Sequence, residues 1–317
     1  MSPHDNSRGR RADAPHEIPK AGWRDILLRV KKEIANDRVG FVSAGVAFYI
    51  LLGLIPTLVA VISIYGFFAD PADVESQLSR LTGILPSEAM DLLKGELKRV
   101  AEQDTAAGFG ALIGIALALW GGSQAMRALI IAMNVAYDEE DGRGFLKQKI
   151  LGLALTLAAA LFAVVVVILL VALPMLLGLV GLESATETVI NVLRWPAMFA
   201  LAMVWFAFLY RYAPYRENAK WRWVTWGAFI ATLLWMVGSA LFSVYVANFG
   251  NYSKSYGSLG AIILLLLWFY LSAFALILGA EINSEMEHQT AKDSTTGPPK
   301  PRGQRGAYVA DDVGKIP

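Results

Sequence analysis

The stretch ILGLALTLAAALFAVVVVILLVALPMLLGLVGL, residues 150–182, decides the fold: between Lys149 and Glu183 it carries no charged side chain. About 20 such residues, wound as a helix, cover the ~30 Å hydrocarbon core of a bilayer. Inside that core every backbone N–H and C=O must find its partner within the protein, which leaves helices or closed barrels. Barrel strands alternate apolar and polar residues over ~10 positions, whereas this run is continuously apolar, so it predicts a helix. Working outward, the same character recurs from Arg38 to Asp70, from Asp104 to Arg127, upstream of Arg211, from Arg222 to Lys254 and from Lys254 to Glu281. The chain therefore reads as all-α, a polytopic membrane bundle of six transmembrane helices. The fourth span is the shortest, with Trp195 to Tyr210 between Arg194 and Arg211. Extending it back to Thr188 makes it long enough and lets Arg194 snorkel to the headgroups.

Charge placement orients the bundle. Hydrophobic residues make up 56% and charged residues 17% of the 317, and the net charge of +1 conceals a strong asymmetry between loops. Summed over alternate tails and loops, Lys and Arg number 21 on the side of the termini and 6 on the other. By the positive-inside rule both termini are expected in the cytoplasm. The polar, basic first ~37 residues show no short apolar region ahead of a small-residue cleavage site, so the first span is expected to serve as its own targeting signal. Residues 1–34 and 288–317, rich in Pro, Gly, Ser, Lys and Arg, are expected to be disordered cytoplasmic tails around a transmembrane domain of residues 35–287. Within it, residues 70–103 form the one sizeable extramembrane element. Asp70, Pro71 and Asp73 supply helix-start chemistry, and the stripes Val74, Leu78, Leu81, Leu85 and Met90, Leu93, Leu97, Val100 predict two amphipathic helices outside the membrane.

Several enzyme classes find no support. Cysteine is absent, and the three histidines, His4, His16 and His288, lie in or beside the tails, which leaves no cluster for metal binding or general-base work. No Walker loop or dinucleotide fingerprint is present, no cofactor or metal is expected, and the folded part offers no basic surface for nucleic acid. The run Asp138-Glu139-Glu140-Asp141 reads as a solvated loop.

The polar residues inside or beside the spans are the candidate site: Tyr49, Gln124, Arg127, Asn134, Arg211, Glu281 and Asn283. Intramembrane Arg127 ordinarily faces a cavity or a counter-charge, and would otherwise sit at the inner headgroups. Glu281 opposes the negative end of the helix dipole if the sixth helix stops there. Either the helix continues to about Glu287, or Arg211 or Arg127 pairs with the carboxylate. Pro56, Pro174 and Pro196 predict kinks in three spans. Gly227 with Ala231 forms a small-xxx-small pair suited to close helix packing.

Several blocks carry a resemblance: Ser43 to Pro56 with Ala47-Phe48-Tyr49, Asn134 to Tyr137, Leu209-Tyr210-Arg211 with Pro214, and above all Trp226-Gly227-Ala228, Tyr256-Gly257-Ser258-Leu259-Gly260, Leu267-Trp268-Phe269-Tyr270 and Gly279-Ala280-Glu281-Ile282-Asn283. From about Arg29 to Glu287 the chain resembles the YihY/BrkB family of bacterial inner-membrane proteins, once labelled ribonuclease BN. The resemblance implies a six-helix protein of the bacterial plasma membrane without established biochemistry. Two functions fit the residues. One is transport or translocation of a small molecule or lipid through the polar set. The other is a non-catalytic scaffold whose residues 70–103 or tails hold protein partners or anionic lipid. Membrane lipids are the expected partners in both, and the sequence does not specify an oligomeric state.

Overall fold

A computed structural model describes residues 7–68, 107–169, 183–248 and 258–317. Its helices are α1 (Lys20–Asn36), α2 (Val39–Phe68), α3 (Ala107–Ala136), α4 (Phe145–Val167), α5 (Glu183–Tyr212), α6 (Trp221–Asn248), α7 (Ser258–Gln289) and a last short turn, α8 (Tyr308–Asp311). Among the described residues there is no strand, only an isolated bridge between Ala219 and Thr295. Five helices contain spans long and apolar enough to cross a bilayer: Ile113–Ala136, Phe145–Val166, Leu193–Tyr212, Trp221–Ala247 and Ile262–Gln289. A sixth candidate is the bent pair formed by α1 and the first part of α2, Lys20–Asn36 and Val39–Leu54, which meet at 61°.

The short fourth segment is resolved by α5, which runs unbroken from Glu183 to Tyr212 with Pro196 inside it. Pro56 likewise stands within α2. Neither proline ends its helix, while Pro174 and residues 70–103 lie outside the described residues. The backbone freedom near Pro56 is limited by packing. A Cβ on Gly53 would sit 2.7 Å from the carbonyl oxygen of Gly121, so α2 and α3 touch backbone to backbone there.

Neighbour relations define an arc. The closely packed pairs run α4–α3, α3–α2, α2–α7, α7–α6 and α6–α5, which leaves α4 and α5 as the two ends. The core sits on the α2, α3, α5, α6 and α7 faces, with Met133, Tyr137, Leu209, Tyr210 and Ile277 fully buried. Glycine lets α6 and α7 meet. A Cβ on Gly279 would come within 2.6 Å of the Ala231 methyl and 2.7 Å of the Gly227 carbonyl, so the Gly227/Ala231 pair does pack a helix as its spacing predicts.

The expectation of disordered tails is overturned for residues 7–34 and 290–317. The two chain ends fold together into a cap across one end of the bundle. Ile26, Val30, Trp223, Ile282 and Met286 share an apolar cluster with Ala12 and Ile18. Above it, the Ala291 N–H donates to the Arg10 carbonyl and Thr290 Oγ1 to the Ala12 carbonyl at 2.7 Å. Composition misled because the charges that suggest solvation are buried with partners. Arg305, 5% exposed, donates to the carbonyls of Lys292, Lys300, Ala291 and Ala310. Arg10 does the same to His288, Gln289 and Gly314. A guanidinium with five fixed donors is suited to gathering carbonyls in this way. Glycines with φ of +83° at Gly9, +98° at Gly297 and +83° at Gly303 supply the left-handed turns that fold the extended ends back.

Candidate functional site

Two concentrations of chemistry stand out, an apolar cavity within the bundle and a polar knot where the bundle meets the cap. The cavity has a volume of about 360 Å³ and lies on the concave side of the arc. Phe162 and Val166 of α4 face Met198, Ala202 and Trp205 of α5 across it, with Ile50 of α2, Leu129 of α3, Trp235 of α6 and Trp268 of α7 completing the wall. Its one hydroxyl among the described residues is Ser272, which accepts from Trp235 Nε1 at 3.0 Å and donates to the Trp268 carbonyl at 2.8 Å. Trp268 Nε1 is satisfied in turn by Ser239 Oγ at 3.2 Å. The indole donors are thus tied down and turn their apolar faces to the space.

The gap between the ends of the arc is bridged by one aromatic stack. Phe162 and Trp205 lie 5.1 Å apart at 19°, and Trp205 stacks in turn on Phe208 at 5.6 Å. Stacked pairs contribute roughly 0.5–1.5 kcal/mol beyond their area, little enough for thermal opening. The Phe162–Trp205 contact thus closes the cavity between α4 and α5.

The polar knot gathers some of the residues singled out by sequence, each in a separate role. Glu281 is 1% exposed, and α7 continues past it to Gln289, so the continued-helix alternative holds. Neither Arg211 nor Arg127 pairs with it. Asp37, at the bend between α1 and α2, is instead its acidic neighbour, and the Glu281 Oε1 has no partner among the described residues. Burial first, then the repulsion of Asp138, Glu33 and Glu285, pushes the Asp37 carboxyl up to about 6 against the favourable bond from Glu281. Burial also raises Asp138 and Glu139 at the end of α3.

Asn283 accepts from the Gly227 N–H at 2.8 Å and donates to the Val224 carbonyl at 3.2 Å, which locks the start of α6 to α7. Asn134 accepts from the Tyr215 N–H at 2.7 Å and pins the α5–α6 loop beneath α3. Arg211 donates to the Ala219 carbonyl and lies 4.7 Å from the Trp221 ring, closing the same loop. Arg127 and Gln124 bond each other at 3.4 Å on α3, with the arginine stem against Gly152 of α4. Tyr49 is 41% exposed, its ring edge-on to Phe48 at 5.5 Å. None of the seven lines the cavity.

Sequence reading missed the strongest ion pairs. Arg216 and Glu287, 1% and 0% exposed, form a bidentate pair at 3.0 and 2.6 Å, with Ser294 on the same carboxylate and the Tyr137 ring 4.9 Å from the guanidinium. Arg29 grips Glu285, adding the Glu285 carbonyl at 3.1 Å and Gln289 at 2.8 Å. Arg8 holds Asp25 at 2.7 and 2.6 Å. Glu285 and Glu287 sit on α7 just beyond the flagged Glu281; their helical spacing was the available signal, but their partners are far away in sequence. Among the described residues, no three His, Asp or Glu side chains are gathered to hold a metal ion.

The fold and these sites define a polytopic helical membrane protein with an apolar intramembrane cavity and a folded terminal cap. The sequence profile of the Virulence factor BrkB family matches residues 30–304, and the chain belongs to that family. It is 34% identical to a protein of Bacillus subtilis named as ribonuclease-like, YfkH, over 76% of this chain and 88% of that one. A UPF0761 membrane protein of Photobacterium profundum is 26% identical over 86% of this chain and 84% of its own length. One from Psychromonas ingrahamii is 24% identical over 82% and 87%. No solved structure matches the chain.

Proposed function

We propose that this protein translocates a lipid or another amphiphile with a hydrocarbon chain, which enters the cavity sideways between α4 and α5. The carrying observation is the cavity itself: about 360 Å³, walled by aliphatic and aromatic side chains, on the concave side of an arc closed by the Phe162–Trp205 stack. That volume falls in the roughly 300–1,000 Å³ range of small-molecule sites, and the single hydroxyl suits a chain better than a polar solute. Access from lipid avoids passing a headgroup-free chain through water. This reading shifts transport from the polar set to the apolar wall. The seven polar residues then act as fasteners that hold helices and loops in register. In this reading the role is non-catalytic, and the cap lies in the cytoplasm beneath the bacterial plasma membrane, on the side favoured by the 21-to-6 distribution of Lys and Arg.

The test is translocation of a fluorescent phospholipid in proteoliposomes, read by quenching of the label in the outer leaflet. Wild type is expected to expose inner-leaflet label faster than empty vesicles. Ala202→Trp, which fills the cavity, should abolish the difference, and Phe162→Ala, which removes one half of the closing stack, should raise the rate. Equal rates in wild-type and protein-free vesicles would end this reading.

A further inference from the structure

The outer face of α1 has no role in the cap, yet its composition is one-sided. The inner face, Gly22, Asp25, Ile26, Arg29 and Val30, is buried against α7 and its neighbours. The exposed face carries Lys20, Arg24, Lys31 and Lys32, with Leu27 and Leu28 at 57% and 44% exposure between them, and no acid. Among the described residues none of these four cations has an ion pair, whereas Arg8 and Arg29, which face inward, are both paired.

Position makes this face informative. At its far end α1 reaches α2 through Asp37 and Arg38 alone, so Asn36 lies at the level where the first span begins. At its near end the Trp23 ring sits 6.2 Å from Trp226, within the first turns of the span Trp221–Ala247. A helix of 17 residues, ~25 Å long, is thus tied at both ends to the starts of spans. It packs beside the last turns of α7, so its outer face points away from the bundle at the level where the spans begin. Tryptophan is the residue that favours that level.

We infer that the outer face of α1 is a docking surface for the headgroups of anionic phospholipids in the adjoining leaflet. Four unpaired cations supply the charge complement, and Leu27 and Leu28 reach the acyl boundary while the lysine stems snorkel to the phosphates. Such contacts contribute about 1 kcal/mol per basic residue near a charged surface, which is roughly a fivefold change in association for each cation removed. This inference rests on the membrane placement of the bundle and not on the cavity, so it stands or falls separately from translocation.

The chain has no cysteine, so Leu28→Cys gives the full-length protein a single attachment point for an environment-sensitive fluorophore. The labelled protein is placed in detergent, in phosphatidylcholine nanodiscs and in nanodiscs containing phosphatidylglycerol. The expected result is blue-shifted emission and protection from an aqueous quencher in the phosphatidylglycerol discs alone, reversed by high salt. Lys31→Gln with Lys32→Gln should lose most of that protection, and Lys31→Arg with Lys32→Arg should keep it. Equal accessibility in all three settings would overturn the inference. Equal protection in both kinds of disc would also overturn it, since insertion would then be apolar and indifferent to charge. Protection already present in detergent would mean that protein, including a second copy of the chain, covers the face.

Discussion

The cavity and the cap bury their surfaces by opposite means. Around the cavity, Phe162 stacks on Trp205 and Trp235 meets Trp268 at a tilt, apolar contacts with one hydroxyl among the described lining residues. In the cap, Arg29, Arg216 and Arg305 each satisfy several acceptors through directional bonds. Apolar contacts weaken gradually as surfaces slide, whereas a buried ion pair loses much of its attraction and exposes its desolvation penalty as soon as it parts. The comparison teaches that the terminal end is held by directional bonds and the middle by apolar contact alone, so under the proposed function the middle is the part expected to yield.

The largest effect that would break the contrast is expected from Glu287→Ala. It leaves Arg216 buried without a counter-charge and should cost about 3–5 kcal/mol, read as a drop in thermal unfolding midpoint in detergent. A loss no larger than that from trimming an exposed residue would show that the cap is not held by these bonds. Next is Gly227→Ala, whose Cβ would collide with the Gly279 carbonyl and with Asn283. Overpacking of this kind should cost about 1–3 kcal/mol, while Ala202→Leu, adding more bulk in the cavity, should be neutral or stabilising by up to about 2 kcal/mol. Similar losses in both would erase the distinction between packed and hollow halves.

The smallest expected effect sharpens the comparison by pH. The Asp37 carboxyl is held up at about 6, from an ordinary value of 3.8. The folded protein therefore binds more protons than the unfolded chain between those values, and the contribution is full below about 4 and lost as pH rises through about 6. Asp37→Asn should flatten the stability profile in that window and leave the variant more stable than wild type above it. An unchanged profile would mean that folding does not raise the Asp37 carboxyl.

The membrane spans were readable because each is a local property of its own residues: an unbroken apolar run needs no knowledge of its neighbours. The helical continuation beyond Glu281 was readable as one of two alternatives for the same reason. The cap was not, because Arg29 finds Glu285 across 256 residues and Arg10 finds Gly314 across 304. A lysine- and proline-rich segment looks solvated until those partners are in place. The cavity was invisible for a different reason. Leu129, Ala202 and Leu276 are the same residue types that fill a core, and only the separation of α4 from α5 makes them the walls of a space. Arg127, Asn134 and Arg211 were found through their rarity in apolar surroundings, but rarity marks a fastener as readily as a binding group.

The junction of the two chain ends also fixes the timing of assembly. Gln289 Nε2 donates to the Arg8 carbonyl at 2.8 Å, so one half of that bond leaves the ribosome 281 residues before the other. At roughly 5–20 residues per second, the N-terminal segment waits about 15–60 s, with its cations and apolar face unmatched, while the spans are inserted. Closure of the cap therefore waits until the end of α7 has been made, and the N-terminal segment is unpartnered until then.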